Sequence, residues 1–336
     1  MRALVFGLGG GGDAVSALIA YNYLSKLGYH VDLGAVTWER YVEDPIPGPI
    51  CKDDFMNVKV INDVIVEVNK SSYSIRGGSV VIPQLVRILR ILNTNGYSIC
   101  VKYGVKGTFY GLLDFIQRVK KYDLIVGVDA GGDVLAKGNE ENLLSPLIDT
   151  IMLSTLALLR SYNYNAVIAT IGAGSDGELD QDYILQRISE VAKRGGLIDI
   201  KGIDKESAEL ISVILRYVNT EASRIPFEAF KGYYGIMKIR GGSREVKVSP
   251  ISAVMFFLDP VIIAQDNITF NAVKETRSLE EVMKVFNDLG IYTEYNFELD
   301  LFSKLWKNSN SVSQEVIRDI RMRGRERLRI RAKISI

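Results

Sequence analysis

The sequence predicts an α/β protein, with a mostly parallel sheet between two layers of helices and a β-rich C-terminal extension. Three observations carry this. Short apolar runs alternate with helix-like runs from the start to about residue 218. Three of the apolar runs end in glycine-rich turns that bear carboxylates. Beyond about Asn219 the alternation gives way to extended segments around paired glycines. We therefore expect one compact domain over 1–336, a Rossmann-like three-layer core at about 1–218 and an extension at about 219–336.

The elements follow in order. Residues 3–6 read as a buried strand. Residues 13–27 read as a helix, with Val15, Leu18, Ile19 and Leu24 on one stripe and Gly28 as its stop. A strand at 31–36 begins beside His30, and a loop at 38–49 is punctuated by Pro45, Pro47 and Pro49. Residues 58–68 and 74–82 read as strands joined by a turn at 69–72. Pro83 opens a helix to about Leu92. A strand at 98–102, a helix at 108–119 and a strand at 124–129 come next. Ser145 is expected to cap a helix at 145–159, with Pro146 in its first position. A strand at 166–171 and helices at 181–193 and 205–218 complete the core. In the extension, 234–240 and 245–248 suggest a hairpin around Gly241-Gly242, 253–258 a third strand and 279–289 a helix.

The C-terminus has an unusual pattern. Every odd position from Arg321 to Lys333 is basic. A strand would place all seven cations on one face, as an edge that deters aggregation. Residues 315–336 hold eight basic and three acidic residues, a net of +5, and the other 314 hold 33 basic and 37 acidic, a net of −4. No aromatic interleaves with these arginines, so bases have no stacking platform and nucleic acid is disfavoured as a partner.

Composition narrows the function. The chain has 336 residues, 47% of them hydrophobic and 24% charged, as in an ordinary soluble globular protein. Its apolar runs, such as 251–258, are too short to span a bilayer, and the start is too short for a signal peptide. A cytoplasmic protein without a membrane partner is expected. Cys51 and Cys100 lie in unrelated contexts and read as two free thiols. His30 is the one histidine, which excludes a Ser-His-Asp triad and a multi-histidine zinc site within the chain. General acid or base chemistry then falls to Asp, Glu, Lys or Tyr.

The three glycine turns supply the candidate site. They are Gly9-Gly10-Gly11-Gly12-Asp13, Asp129-Ala130-Gly131-Gly132-Asp133 and Gly172-Ala173-Gly174-Ser175-Asp176-Gly177-Glu178. In a parallel sheet all three fall at the carboxyl edge, where ligands bind in such folds. Backbone N–H groups at helix starts attract phosphate. Carboxylates repel it unless a cation lies between, and they suit Mg²⁺. We assign Gly9, Gly10, Gly11, Gly12, Gly131, Gly132, Gly172, Gly174 and Ser175 to ligand binding. Asp13 and Asp129 are assigned to a metal, and Asp133, Asp176 and Glu178 to catalysis. Asp149, one turn into its helix, is a further candidate to face the same site. Arg76, Arg240 and Arg244 are candidate phosphate clamps, and Tyr233-Tyr234 a candidate stacking pair. The pentapeptide Ile-Arg-Gly-Gly-Ser, at 75–79 and 239–243, raises the alternative of two equivalent turns facing one ligand.

Two resemblances follow from these residues. The stretch Gly7-Leu8-Gly9-Gly10-Gly11-Gly12-Asp13-Ala14-Val15 looks like the first nucleotide-binding loop of bacterial tubulin homologues. Their second, GGGTGTG-like loop is missing, so GTPase activity is not carried over. More broadly, the three glycine turns and Ser145-Pro146-Leu147-Ile148-Asp149 resemble an uncharacterised, largely archaeal family, domain of unknown function 1152. That resemblance covers most of the chain and implies an α/β fold without an activity.

The residues point to a metal-assisted enzyme that hydrolyses, or transfers phosphoryl from, a phosphorylated or nucleotide-like small molecule. A nucleotide-binding regulator without catalysis is the first alternative. A dinucleotide-dependent oxidoreductase is the second. Gly7, Gly9 and Gly12 match its fingerprint formally, but Asp32 falls too early and Glu39 too late for the ribose carboxylate. No Gly-Lys-Ser/Thr follows the glycines, so the Walker pattern is absent. Assembly as a homo-oligomer is left open.

Overall fold

The structure, a computed structural model, describes residues 1–307 and 313–334. It is an α/β fold built on a nine-stranded sheet. The chain runs β1 (Arg2–Gly7), α1 (Asp13–Lys26), β2 (His30–Val36) and a short α2 (Arg40–Glu43). Five short strands follow: β3 (Phe55–Met56), β4 (Lys59–Val60), β5 (Ile65–Val68), β6 (Tyr73–Arg76) and β7 (Ser79–Val81). Next come α3 (Gln84–Leu92), β8 (Gly96–Ile99) and α4 (Gly104–Asp114), which ends in a π-type turn. Then come β9 (Leu124–Ala130), α5 (Pro146–Ser161), β10 (Ala166–Ile171), α6 (Gln181–Lys193), β11 (Leu197–Gly202) and α7 (Lys205–Ile214). The remainder is α8 (Arg224–Phe230), β12 (Gly235–Ile239), β13 (Arg244–Val248), β14 (Val254–Leu258) and five helices. These are α9 (Pro260–Ala264), α10 (Phe270–Val273), α11 (Leu279–Asp288), α12 (Glu294–Lys307) and α13 (Gln314–Ile334).

The sheet order is β11-β14-β10-β9-β1-β2-β8-β5-β4. The five central strands, β10 to β8, are parallel, and antiparallel strands flank them on both sides. Alternation along β1 divides the core. Ala3 and Val5 face the layer of α1, α3 and α7, while Leu4 and Phe6 face that of α4, α5, α6 and α11. Both faces being covered explains why β1, β9 and β10 read as unbroken apolar runs. From β1 the chain builds outward through β2 and β8, then returns to lay β9 on the other side of β1. That reversal opens a crevice at the carboxyl ends of β1 and β9.

The extension does not stay apart from the core. Strand β14 joins the sheet between β10 and β11, whereas β12 and β13 form a separate hairpin against α8. The strands read at 58–68 and 74–82 are present as shorter pieces and do not pair with each other. Strand β5 pairs with β8 in the main sheet, and β6 pairs with β3 and β7 in another. The 69–72 turn forms as expected, but Asn69 and Ser72 bond back to Asn57, which pulls the two strands into different sheets.

Two further expectations are overturned. Cys51 and Cys100 form a disulfide, with Cα atoms 5.2 Å apart. They are 49 residues apart in sequence, but adjacency of β2 and β8 brings the loop after β2 alongside the end of β8. The basic C-terminus is helix α13, not a strand. Ile317, Ile320, Gly324 and Leu328 recur at helical spacing and pack towards Tyr292, Phe297 and Leu301 of the α12 region. That stripe decides the structure, and the alternating cations are spread round the axis. Among the described residues, no helix is long and apolar enough to cross a membrane.

Candidate functional site

The three glycine turns follow β1, β9 and β10, adjacent parallel strands, so they lie side by side at one edge. They border a cavity of about 1060 Å³. Gly9 to Gly12, Asp13, Asp129, Asp133, Gly174, Asp176 and Glu178 all line it, and so does Asp149 of α5. Gly131, Gly132, Gly172 and Ser175 do not; they pack behind it. A Cβ on Gly131 would lie 2.7 Å from the Asp176 carboxyl carbon, and one on Gly172 would lie 2.7 Å from Ser175 Oγ.

The opening glycines answer to protein atoms as well as to the cavity. A Cβ on Gly9 would sit 2.6 Å from Asp13 Oδ2 and 2.9 Å from Asp149 Oδ1. One on Gly12 would sit 2.0 Å from Thr220 Oγ1. Two of the four N–H groups are already committed, Gly9 to Asp13 Oδ2 at 2.7 Å and Gly11 to the Trp38 carbonyl at 3.0 Å. The glycines thus let carboxylates and the 38–40 loop crowd against the turn.

The carboxylates form two overlapping groups. Asp129, Asp133 and Asp149 each bring an oxygen within 4.8 Å of the others, and so do Asp133, Asp176 and Glu178. Asp133 belongs to both. Asp13 lies beside them but outside both groups, and its carboxylate takes the Gly9 N–H rather than capping its own helix. All are buried. Burial, then the neighbouring carboxylates, push Asp129, Asp133 and Asp149 well above the usual carboxylate range. Burial raises Asp13 to about 7, against the opposing pull of the Gly9 N–H and Arg40. Asp176 is also raised to about 7, by burial and by Glu178.

Glu178 differs. Burial raises it, but Arg244, the Ser145 hydroxyl and the Leu144 N–H outweigh that and bring it below its ordinary value. Its Oε2 accepts from Leu144 N (2.6 Å) and Ser145 N (2.9 Å), and its Oε1 from Ser145 Oγ (2.6 Å). This also corrects the cap. Ser145 makes no side-chain cap to α5, because its hydroxyl serves Glu178. The α5 N-terminus is satisfied instead by Glu294 of α12, which accepts from Leu147 N and Ile148 N at 3.1 and 2.9 Å.

Several lining residues were not anticipated. Glu39 and Arg40 come from the loop after β2, Glu294 and Glu298 from α12, and Arg318, Arg321 and Arg325 from α13. The spacing of Glu294 and Glu298, one turn apart on an amphipathic segment, was the available signal for α12. Arg40 holds a left-handed φ of 63° at the cavity wall, a conformation that costs a non-glycine about 1 kcal/mol. Of the earlier clamp candidates, Arg240 and Arg244 line the cavity. Arg76 is buried elsewhere, bound to Asp44, Asp54 and the carbonyls of Ile46, Pro47 and Gly48, so the two Ile-Arg-Gly-Gly-Ser turns are not equivalent. Tyr233 and Tyr234 are exposed and do not line the cavity.

Unpaired polar atoms concentrate here. Among the described residues, ten buried side-chain atoms lack a hydrogen-bond partner, and six belong to residues lining this cavity. They are Glu39 Oε2, Arg40 Nη1, Asp149 Oδ1, Asp176 Oδ2, Glu298 Oε1 and Arg321 Nη1. Such atoms are costly and scarce in native folds, so their clustering singles out this cavity as the candidate functional site.

In a comparison with protein families, the profile described as "Protein of unknown function (DUF1152)" matches residues 4–302. The chain belongs to that family. No curated protein and no solved structure matches it. In this DUF1152 member the matched span holds every carboxylate of the two groups and stops before α13, so Arg318, Arg321 and Arg325 reach the cavity from outside it.

Proposed function

We propose that this protein is a metal-assisted enzyme that hydrolyses, or transfers phosphoryl from, a small phosphorylated or nucleotide-like molecule. One observation carries the reading: two groups of three buried carboxylates share Asp133 at a sheet switch point, and oxygens of Asp149 and Asp176 have no partner. Oxygen-only donors of this density suit a hard cation such as Mg²⁺. Asp129, Asp133 and Asp149 are the ligands proposed. An ion there would polarise a phosphoryl oxygen. Asp176, poised near neutrality with Oδ2 unpaired, is the proposed acceptor of the proton from the attacking water or hydroxyl. Glu178 is a positioning residue, since its hydrogen bonds hold the 144–145 segment against the site. The reaction forms a new bond from that oxygen to phosphorus, and the bond from phosphorus to the leaving oxygen breaks.

The test is phosphate release from a panel of nucleotides, sugar phosphates and pyrophosphate with Mg²⁺, Mn²⁺ or EDTA. Metal-dependent turnover of at least one compound, lost in Asp176→Asn, is expected. Turnover that persists in EDTA would contradict the metal reading. A nucleotide that binds and is recovered unchanged would favour a regulatory module instead.

A further inference from the structure

We propose that Arg321 of α13 forms an anion subsite in this cavity, so that the C-terminal helix selects a ligand bearing a phosphate ester or anhydride. The proposal deepens the reading above and rests on it for the placement of the ligand between Arg321 and the carboxylates.

Three arginines of α13 border the cavity, and their states differ. Arg325 is committed: it donates to the carbonyls of Glu141 (3.0 Å) and Leu143 (2.9 Å) and so fixes the helix to the 141–143 segment. Arg318 is exposed. Arg321 is neither committed nor free in water. Its guanidinium stacks on the Phe297 ring at 4.1 Å, and its Nη1 is buried without an acceptor. Stacking on an aromatic fixes one face of the fork and leaves the N–H edge pointing away from it.

The nearby acid does not take that edge. Arg321 is close enough to Glu178 for the two charges to favour each other. Yet Glu178 already accepts from two backbone N–H groups, the Ser145 hydroxyl and Arg244 Nη1. No hydrogen bond links it to Arg321. A second guanidinium repeats the pattern at the other wall. Arg40 lies over Trp38, donates through Nη2 to the Gly9 carbonyl at 3.0 Å, and keeps Nη1 buried without a hydrogen-bond acceptor, 3.9 Å from Glu294 Oε1. Two oriented guanidinium groups, each with an unused N–H, face a cavity whose floor is carboxylate. A lone carboxylate ligand could satisfy one wall. A phosphate group offers several oxygens, so one can meet a floor-bound cation while others accept from an arginine fork. The cavity, at about 1060 Å³, leaves room for more than one such group.

The experiment is calorimetric titration of the full-length protein with pyrophosphate, with and without Mg²⁺, beside titration with Mg²⁺ alone. Arg321→Gln should bind pyrophosphate at least about tenfold more weakly, with Mg²⁺ affinity unchanged or raised. Arg329→Gln removes the same charge from an exposed position on the same helix and should change pyrophosphate binding less than about twofold. If Arg321→Gln fails to fold, Arg321→Lys keeps the charge and stem but loses the fork, and it should still show a loss of about threefold or more. Unchanged affinity in the Arg321 variants, an equal loss in Arg329→Gln, or no pyrophosphate binding by the wild-type protein would overturn the subsite. Binding of pyrophosphate that depends on Arg321 while Mg²⁺ alone gives no heat would keep the subsite and remove the metal from the proposed function.

Discussion

Asp13 and Asp176 are the residues whose protonation a simple experiment can follow. Each is buried and raised to about 7, against about 4 for an aspartate in an unfolded chain. A raised folded-state pKa stabilises the fold fully only below the unfolded value, and that stability is lost as pH rises through the folded value. The metal-free protein should therefore lose stability between about pH 4 and pH 7, on the order of a few kcal/mol from each group. A divalent ion binds the ionised carboxylates and opposes this loss, so it should raise the melting temperature more at pH 8 than at pH 5. Thermal melts in EDTA and in Mg²⁺ at the two pH values check it. A metal-free protein more stable at pH 8, with no gain from Mg²⁺, would contradict the account. At this scale the convergence of Asp129, Asp133 and Asp176 was legible in the sequence, because each stands at the end of a buried strand or in the glycine turn that follows it. It was less so for Asp13, whose neighbour in the turn, Gly9, claims its carboxylate through a contact that spacing does not reveal.

The parallel core elements were legible because burial on both faces leaves unbroken apolar runs bounded by glycine. The short strands β3, β4, β6 and β7 were not, since two to four residues carry no period and their partners are set by side-chain bonds such as those of Ser72. Helix α13 was misread for a definite reason. Its arginines alternate strictly, which imitates a strand, while its apolar stripe is broken at Gly324 where a side chain would be expected. That glycine is where Tyr292 packs: a Cβ there would lie 2.2 Å from the ring. Gly324→Ala thus sets two effects against each other. Helix propensity favours alanine by about 1 kcal/mol, and the lost fit opposes it by about 1–3 kcal/mol. The contact should win, displacing α13 from α12 and carrying Arg321 with it. A lower melting temperature together with weaker pyrophosphate binding is the expected outcome. A more stable variant with unchanged binding would show that α13 does not depend on this contact.

For the whole molecule, the order of the strands places the site more than any one motif does. Reversal between β1 and β9 opens the crevice, β10 adds the third turn beside it, and α5 directs Asp149 into the same space. Residues after the core then close the walls: Arg244 from the hairpin, Glu294 and Glu298 from α12, and Arg321 from α13. The expectation of three neighbouring turns could be drawn from the sequence, because parallel strands fix which ends coincide. The basic wall could not, because it depends on how distant helices dock. The proposed function rests on Asp133, which belongs to both carboxylate groups and is, with Asp129 and Asp149, a proposed ligand of a divalent ion. The most direct measurement is calorimetric titration of the full-length protein at pH 8 with Mn²⁺ and Mg²⁺, beside Asp133→Asn. Saturable binding in the wild-type protein, weakened by about tenfold or more in Asp133→Asn while its far-UV circular dichroism is unchanged, is the predicted result. No heat beyond dilution in the wild-type protein, or equal affinity in the folded variant, would contradict it.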